Sequence, residues 1–160
     1  MSEATLKRLL KELRDSQRNE AEYVEDLHPV DDDNLFEWIA VVRGPVDTPY
    51  DGGRFEISIK VPVSYPLAPP TMNFVTTVCH PNVQFKTGEI CLDLLKTAWS
   101  PAWTLQSACS AVAMLLGQPE PDSPLNVDAA NILRCGDTRA YRSLVRMYVE
   151  LHAMGSSNDE

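Results

Sequence analysis

Between residues 20 and 100 the chain carries no segment with the length and 3.6-residue apolar period of a helix, only short β-like runs separated by turn residues. Runs at 22–28 and 35–43 flank Asp31-Asp32-Asp33-Asn34, which reads as a hairpin turn. Gly44-Pro45 and the stretch from Thr48 to Gly53 turn the chain again, and Phe55-Glu56-Ile57-Ser58-Ile59-Lys60-Val61 then alternates apolar with polar. Pro62, Pro66, Pro69 and Pro70 forbid regular pairing before a last short strand, Met72-Asn73-Phe74-Val75. Parallel neighbours need a crossover of a dozen or more residues, so these strands are predicted to form a four-stranded antiparallel meander.

Helices are predicted on either side of the meander. Leu6, Leu9, Leu10 and Leu13 mark one face of an amphipathic helix over 3–18, with Ser2 or Thr5 as its cap. The other faces carry Lys7, Arg8, Lys11, Arg14 and Arg18, either a solvated surface or a dock for an acidic partner. Thr104 caps a helix with the inward stripe Leu105, Ala108, Cys109, Val112, Leu115 and Leu116, where Cys109 serves as a small core hydrophobe. A short helix at 127–134 turns Val127, Ala130 and Ile132 or Leu133 inward. Asp137 caps a last helix with Tyr141, Leu144, Val145 and Tyr148 on its inner face. An N-terminal helix, a meander and C-terminal helices make an α+β fold.

Composition narrows the function classes. The 160 residues suit a single domain, expected over 1–154 with 155–160 as a disordered tail. A net charge of −9 argues against a nucleic-acid partner. No apolar run approaches the ~18 residues of a membrane span, so no direct membrane insertion is expected. The N-terminus lacks the apolar core of a secretory signal, which predicts a cytoplasmic protein. Cys79, Cys91, Cys109 and Cys135 include no CxxC pair, so neither a zinc site nor a disulfide framework is expected. Cys79 and Cys135 are either two reduced thiols or one disulfide. The Asp run lacks the EF-hand pattern of a calcium loop.

The segment from His80 to Trp99 is neither a good helix nor a good strand, and only Leu92–Leu95 suits a helical turn. Its apolar content argues against disorder, and long irregular segments in compact domains are usually functional. Cys91 lies nine residues after Asn82 in it. A thiol held in a loop suggests acyl transfer, because a thiol both attacks and leaves well; the alternative is an inert core thiol.

His80-Pro81-Asn82, Gly88-Glu89-Ile90-Cys91-Leu92-Asp93 and Trp99-Ser100-Pro101-Ala102-Trp103 resemble the signature of ubiquitin-conjugating enzymes. So do Tyr50-Asp51-Gly52-Gly53, Tyr65-Pro66-Leu67-Ala68-Pro69-Pro70 and Pro121-Asp122-Ser123-Pro124-Leu125-Asn126, in that family's order and over nearly the whole chain. Asn131-Ile132-Leu133-Arg134-Cys135-Gly136-Asp137, the Pro-Asp-Ser-Pro-Leu stretch and one extra residue between Asn82 and Cys91 are most similar to the family's peroxisomal branch.

The resemblance implies the same fold, and a Cys91 that accepts ubiquitin as a thioester from an activating enzyme. A RING-type ligase would then direct transfer to a substrate, in this branch a peroxisomal import receptor. No cofactor is implied, since ATP is used by the upstream activating enzyme. Asn82 would stabilise the oxyanion, brace the loop, or both, and His80 would be a structural hydrogen-bonder. Asp93 and Asp122 would orient an incoming lysine; Ser123 stands where many members have Asp, which directs attention to a cysteine acceptor. Lys7, Arg8 and Lys11 would meet the activating enzyme, and Leu67, Pro101 and Ala102 the ligase. Ile39 and Val41 would lie on an open back face of the sheet. That face, or the last two helices, would receive a membrane-anchored peroxisomal adaptor at the cytosolic face of the organelle. The alternatives are a non-catalytic ubiquitin- or ligase-binding module and a carrier of another ubiquitin-like modifier.

Overall fold

Asp32 and Asp33 form the turn between β1 (Val24–Asp31) and β2 (Asn34–Arg43), as the Asp run predicts, with Asp33 N–H donating to the Asp31 carboxylate at 2.9 Å. The computed structural model describes residues 2–155, so the expected tail beyond Gly155 lies outside the described residues. β3 (Arg54–Lys60) and β4 (Thr71–Phe74) complete an antiparallel sheet in chain order β1-β2-β3-β4. α1 (Glu3–Arg18) precedes it; α2 (Leu105–Leu116), α3 (Val127–Arg134) and α4 (Thr138–His152) follow.

The register makes one face of the sheet the core. Trp38, Ala40 and Val42 lie opposite Ile59, Ile57 and Phe55, and Ile59 and Ile57 lie opposite Met72 and Phe74. All of these are buried, and α2 covers them with Leu105, Ala108, Cys109, Val112, Ala113 and Leu116. Thr104 caps α2 as expected: its hydroxyl accepts from Ser107 N–H while Ser107 accepts from Thr104 N–H. The other face carries half-buried Ile39, flanked by His28 and Ser58, and half-buried Val41, flanked by Asp26 and Glu56.

Three expectations are corrected by packing. Neither candidate residue caps α1 through its side chain: Ser2 occupies the cap position without a side-chain bond, and the Thr5 hydroxyl donates to Tyr65 O at 2.8 Å. The buried face of α1 is shifted from the leucine stripe: Leu9 is buried and Leu6 and Leu13 are half-buried as expected, but Leu10 is exposed and Thr5 and Glu12 are buried instead. Glu12 turns inward because Tyr65 and Leu105 donate to it from beneath the helix, with Arg8 of the same helix as its third partner. Val127 is 58% exposed, since the first turn of α3 buries the small residues Ala129 and Ala130 and leaves Val127 and Asp128 on its outer side.

Candidate active site

The His80–Trp99 segment is held in place by its backbone. The buried imidazole of His80 donates from Nε2 to Leu115 O on α2 (2.8 Å) and accepts at Nδ1 from Asn82 N–H (3.0 Å). Burial pushes its pKa down to about 4, so it is neutral at physiological pH and serves as a structural post. The segment is less irregular than its composition suggests: Val83 and Ile90 pair antiparallel across a small hairpin whose Gly88 N–H donates to Gln84 O. Gly88 has φ +75°, and a Cβ there would lie 1.9 Å from Phe74 O. Its own carbonyl accepts from Phe74 N–H at 2.9 Å, which docks the hairpin on the end of β4.

Cys91 leaves this hairpin half-buried, its N–H donating to Asn82 O at 2.8 Å. The Asn82 side chain is buried and committed to the 120–123 loop. Its Nδ2 donates to Glu120 O (2.8 Å) and Ser123 O (3.0 Å), and its Oδ1 accepts from Glu120 N–H (2.7 Å). Pro81 O accepts from both Leu125 and Asn126 N–H. From the far side, Arg134 Nη2 donates to Pro121 O (2.7 Å) and reaches Asp122 Oδ1 at 3.4 Å. The structure therefore brings Asn82, Cys91 and the loop with Asp122 and Ser123 together, although Asn82 spends both amide hydrogens on bracing. Asp93, exposed two residues after Cys91, opens a 3-10 turn, Asp93–Leu95, whose two leucines are buried. Among the described residues no three His, Cys, Asp or Glu side chains converge as a metal site would require.

The other thiols differ from Cys91. Burial pushes Cys79 up to about 11 and Cys109 up to about 12, which keeps both protonated. Cys135 is exposed at the end of α3, and all four cysteines are free, so the disulfide reading of Cys79 and Cys135 is not realised here.

Lys7 and Lys11 are exposed on α1, with Lys7 Nζ 3.9 Å from Glu3. Arg8, expected beside them, is instead turned inward onto Glu12, Pro101 O and Trp103 O. Leu67 is 80% exposed, and Pro101 and Ala102 are exposed on the neighbouring loop. Trp99 Nε1 donates to Pro66 O (2.8 Å), which joins the two loops. Glu12 and Arg134, the residues that tie these pieces together, are not found by the sequence reading. A carboxylate on a charged helix reads as solvated, and an arginine in α3 reads as surface; the Arg8–Glu12 spacing of i, i+4 is the one available hint.

Comparisons with known proteins show the family. A family profile described as ubiquitin-conjugating enzyme matches residues 8–149. Protein PEROXIN-4 of Arabidopsis thaliana is 52% identical over 152 residues, covering 95% of this chain and 97% of its own. Ubiquitin-conjugating enzyme E2 pex4 of Dictyostelium discoideum is 54% identical over 145 residues, covering 91% and 97%. The crystal structure of the H. polymorpha ubiquitin-conjugating enzyme Pex4p, in complex with the soluble domain of Pex22p, superposes with a TM-score of 0.90 at 43% identity, over 95% of this chain and all of that one. With a cysteine held by Asn82 and a matching profile over most of its length, the chain belongs to the ubiquitin-conjugating enzyme family.

Proposed function

We propose that Cys91 carries ubiquitin as a thioester and that the acceptor is a peroxisomal import receptor. The Cys91 sulfur attacks the carbonyl of ubiquitin held on the activating enzyme's thiol, a new C–S bond forms, and that thiol leaves. ATP is consumed upstream, and this chain needs no cofactor of its own. The observation that carries the reading is the placement of the thiols: Cys91 is partly accessible and bonded through its N–H to Asn82, Cys79 and Cys109 are buried and held protonated, and exposed Cys135 lies at the end of α3 outside the His80–Trp99 segment. The test is one gel with activating enzyme, ATP and ubiquitin. A reductant-sensitive adduct that disappears in Cys91→Ala supports the carrier; no adduct favours the binding module, and an adduct only with another modifier favours the third reading.

Asp93, two residues after Cys91, and Asp122, in the braced loop, would orient the attacking group. Asp122 is shared with Arg134, and Ser123 adds no second carboxylate. This favours a cysteine acceptor, whose lower pKa asks less of a base than lysine does. Discharge of the loaded protein by free cysteine faster than by free lysine supports this; the reverse order rejects it.

The peroxisomal placement rests on the names of the relatives, and the Pex22p complex suggests an adaptor of that kind here. Two surfaces suit it. On the sheet's back face, polar neighbours interrupt Ile39 and Val41. Along α4, Leu144 and Tyr148 line a groove of about 320 Å³ with Cys79, Phe85, Ala129, Asn126 and Asp128, and Met147 and 66%-exposed Leu151 lie on the same helix. The α4 side combines a groove with exposed apolar residues on the same helix and is the preferred adaptor site. A RING-type ligase is assigned to Leu67, Pro101 and Ala102, exposed apolar residues on two joined loops.

A further inference from the structure

Glu12 is only 7% exposed, and its carboxylate has partners from three parts of the chain. Oε1 accepts from the N–H of Leu105, the first residue of α2, at 2.7 Å. Oε2 accepts from the Tyr65 hydroxyl and, at 2.8 Å, from Arg8 Nε. The Arg8 guanidinium lies 5.7 Å from the centre of the Tyr65 ring, and its Nη2 donates to Pro101 O (2.9 Å) and Trp103 O (2.7 Å). Burying a carboxylate is costly unless its charge is paired and its lone pairs are used, and here both conditions are met. One buried acid thus joins α1 to Tyr65, two residues before Leu67, and through Arg8 to the loop that carries Pro101 and Ala102. The planar fork meets the carboxylate through Nε and two carbonyls through Nη2 in a fixed geometry; a lysine ammonium has to reach all three from a single nitrogen.

We infer that Arg8 is a positioning residue for the ligase surface, and not a contact for the activating enzyme. Held by Glu12, it sets the Pro101–Trp103 loop against the Leu67 loop. The inference rests on the reading of Leu67, Pro101 and Ala102 as the ligase patch. Cys91 and Asn82 have no part in this network.

The test uses the full chain with Arg8→Ala, Arg8→Lys and Leu67→Ala, and as probe a RING domain that accelerates thioester discharge from the wild type. Arg8→Ala is expected to raise the half-saturating RING concentration about tenfold, a loss of ~1.4 kcal/mol. Discharge at saturating RING and loading by the activating enzyme should stay within twofold of wild type. Arg8→Lys keeps the charge and is expected not to restore RING affinity. Amide hydrogen exchange at Ala102 and Trp103 should quicken in both Arg8 variants. Unchanged RING saturation in Arg8→Ala, with saturation weakened in Leu67→Ala, overturns the inference. So does a loading defect as large as that of a double variant with Lys7→Glu and Lys11→Glu, made alongside. If Leu67→Ala also leaves saturation unchanged, the patch reading fails, and the exchange rates decide: faster exchange keeps the positioning role and wild-type exchange ends it. Should Arg8→Ala not fold, Arg8→Lys carries the same comparison.

Discussion

Cys91 and Asn82 are joined through the backbone, Cys91 N–H to Asn82 O at 2.8 Å, while the Asn82 side chain turns the other way to hold Glu120 and Ser123. The residue that anchors the thiol's strand end is therefore the same one that fixes the facing loop. Asn82→Ala leaves Glu120 N–H, Glu120 O and Ser123 O without their partners, and is expected to cost ~2–4 kcal/mol of stability. Urea titration measures this, alongside thioester discharge. A stability loss with slower discharge fits the brace; wild-type stability with discharge slowed ~100-fold would instead assign the amide to the oxyanion.

His80 gives stability a pH dependence. Its folded pKa is lowered to about 4 by burial, against an ordinary value near 6.5. Between these values the unfolded chain binds a proton that the folded chain refuses, so stability falls as pH drops from about 6.5 to about 4, by at most ~1.4 kcal/mol per pH unit. His80→Gln should remove this component. The check is the difference between the wild-type and variant denaturation free energies across that window.

Gly88 and Gly136 share φ +75° but differ in surroundings. A Cβ at Gly88 would lie 1.9 Å from Phe74 O, whereas one at Gly136 meets nothing within 4 Å. Gly136→Ala is expected to cost ~1–2 kcal/mol, the backbone penalty alone. Gly88→Ala should cost clearly more and should slow loading, because the Val83–Ile90 hairpin leads directly into Cys91. Denaturant midpoints of the two variants isolate the clash.

Lys7 and Lys11 are the exposed cations of α1 assigned to the activating enzyme. Reversing both to Glu is expected to slow thioester loading about tenfold at low salt, with a smaller effect at high ionic strength as the charges are screened. Loading rates at two salt concentrations check this; wild-type rates reject the assignment.

Much of the fold is legible in local pattern. Alternation at Phe55–Val61, the Asp-rich turn, the Thr104 and Asp137 caps and the leucine period of α1 each report on neighbours a few residues away, and each element is found in the structure. The Cys91 loop was legible as ordered motifs, and the profile match over residues 8–149 agrees. What local pattern leaves open is which side of an element meets a distant partner. Leu10 and Val127 are apolar yet exposed, and Glu12 is charged yet buried, because the surfaces facing α1 and α3 come from residues far along the chain.

The order of elements, the thiol, the Asp-rich turn and the Thr104 and Asp137 caps are readable along the chain, since they depend on backbone preference and short-range hydrogen bonds. Packing alone sets Arg8 inward, commits the Asn82 amide to the 120–123 loop and places Arg134 on Asp122. Each of those bonds joins residues brought together by the packing of the sheet and helices, with geometry that no spacing along the chain encodes.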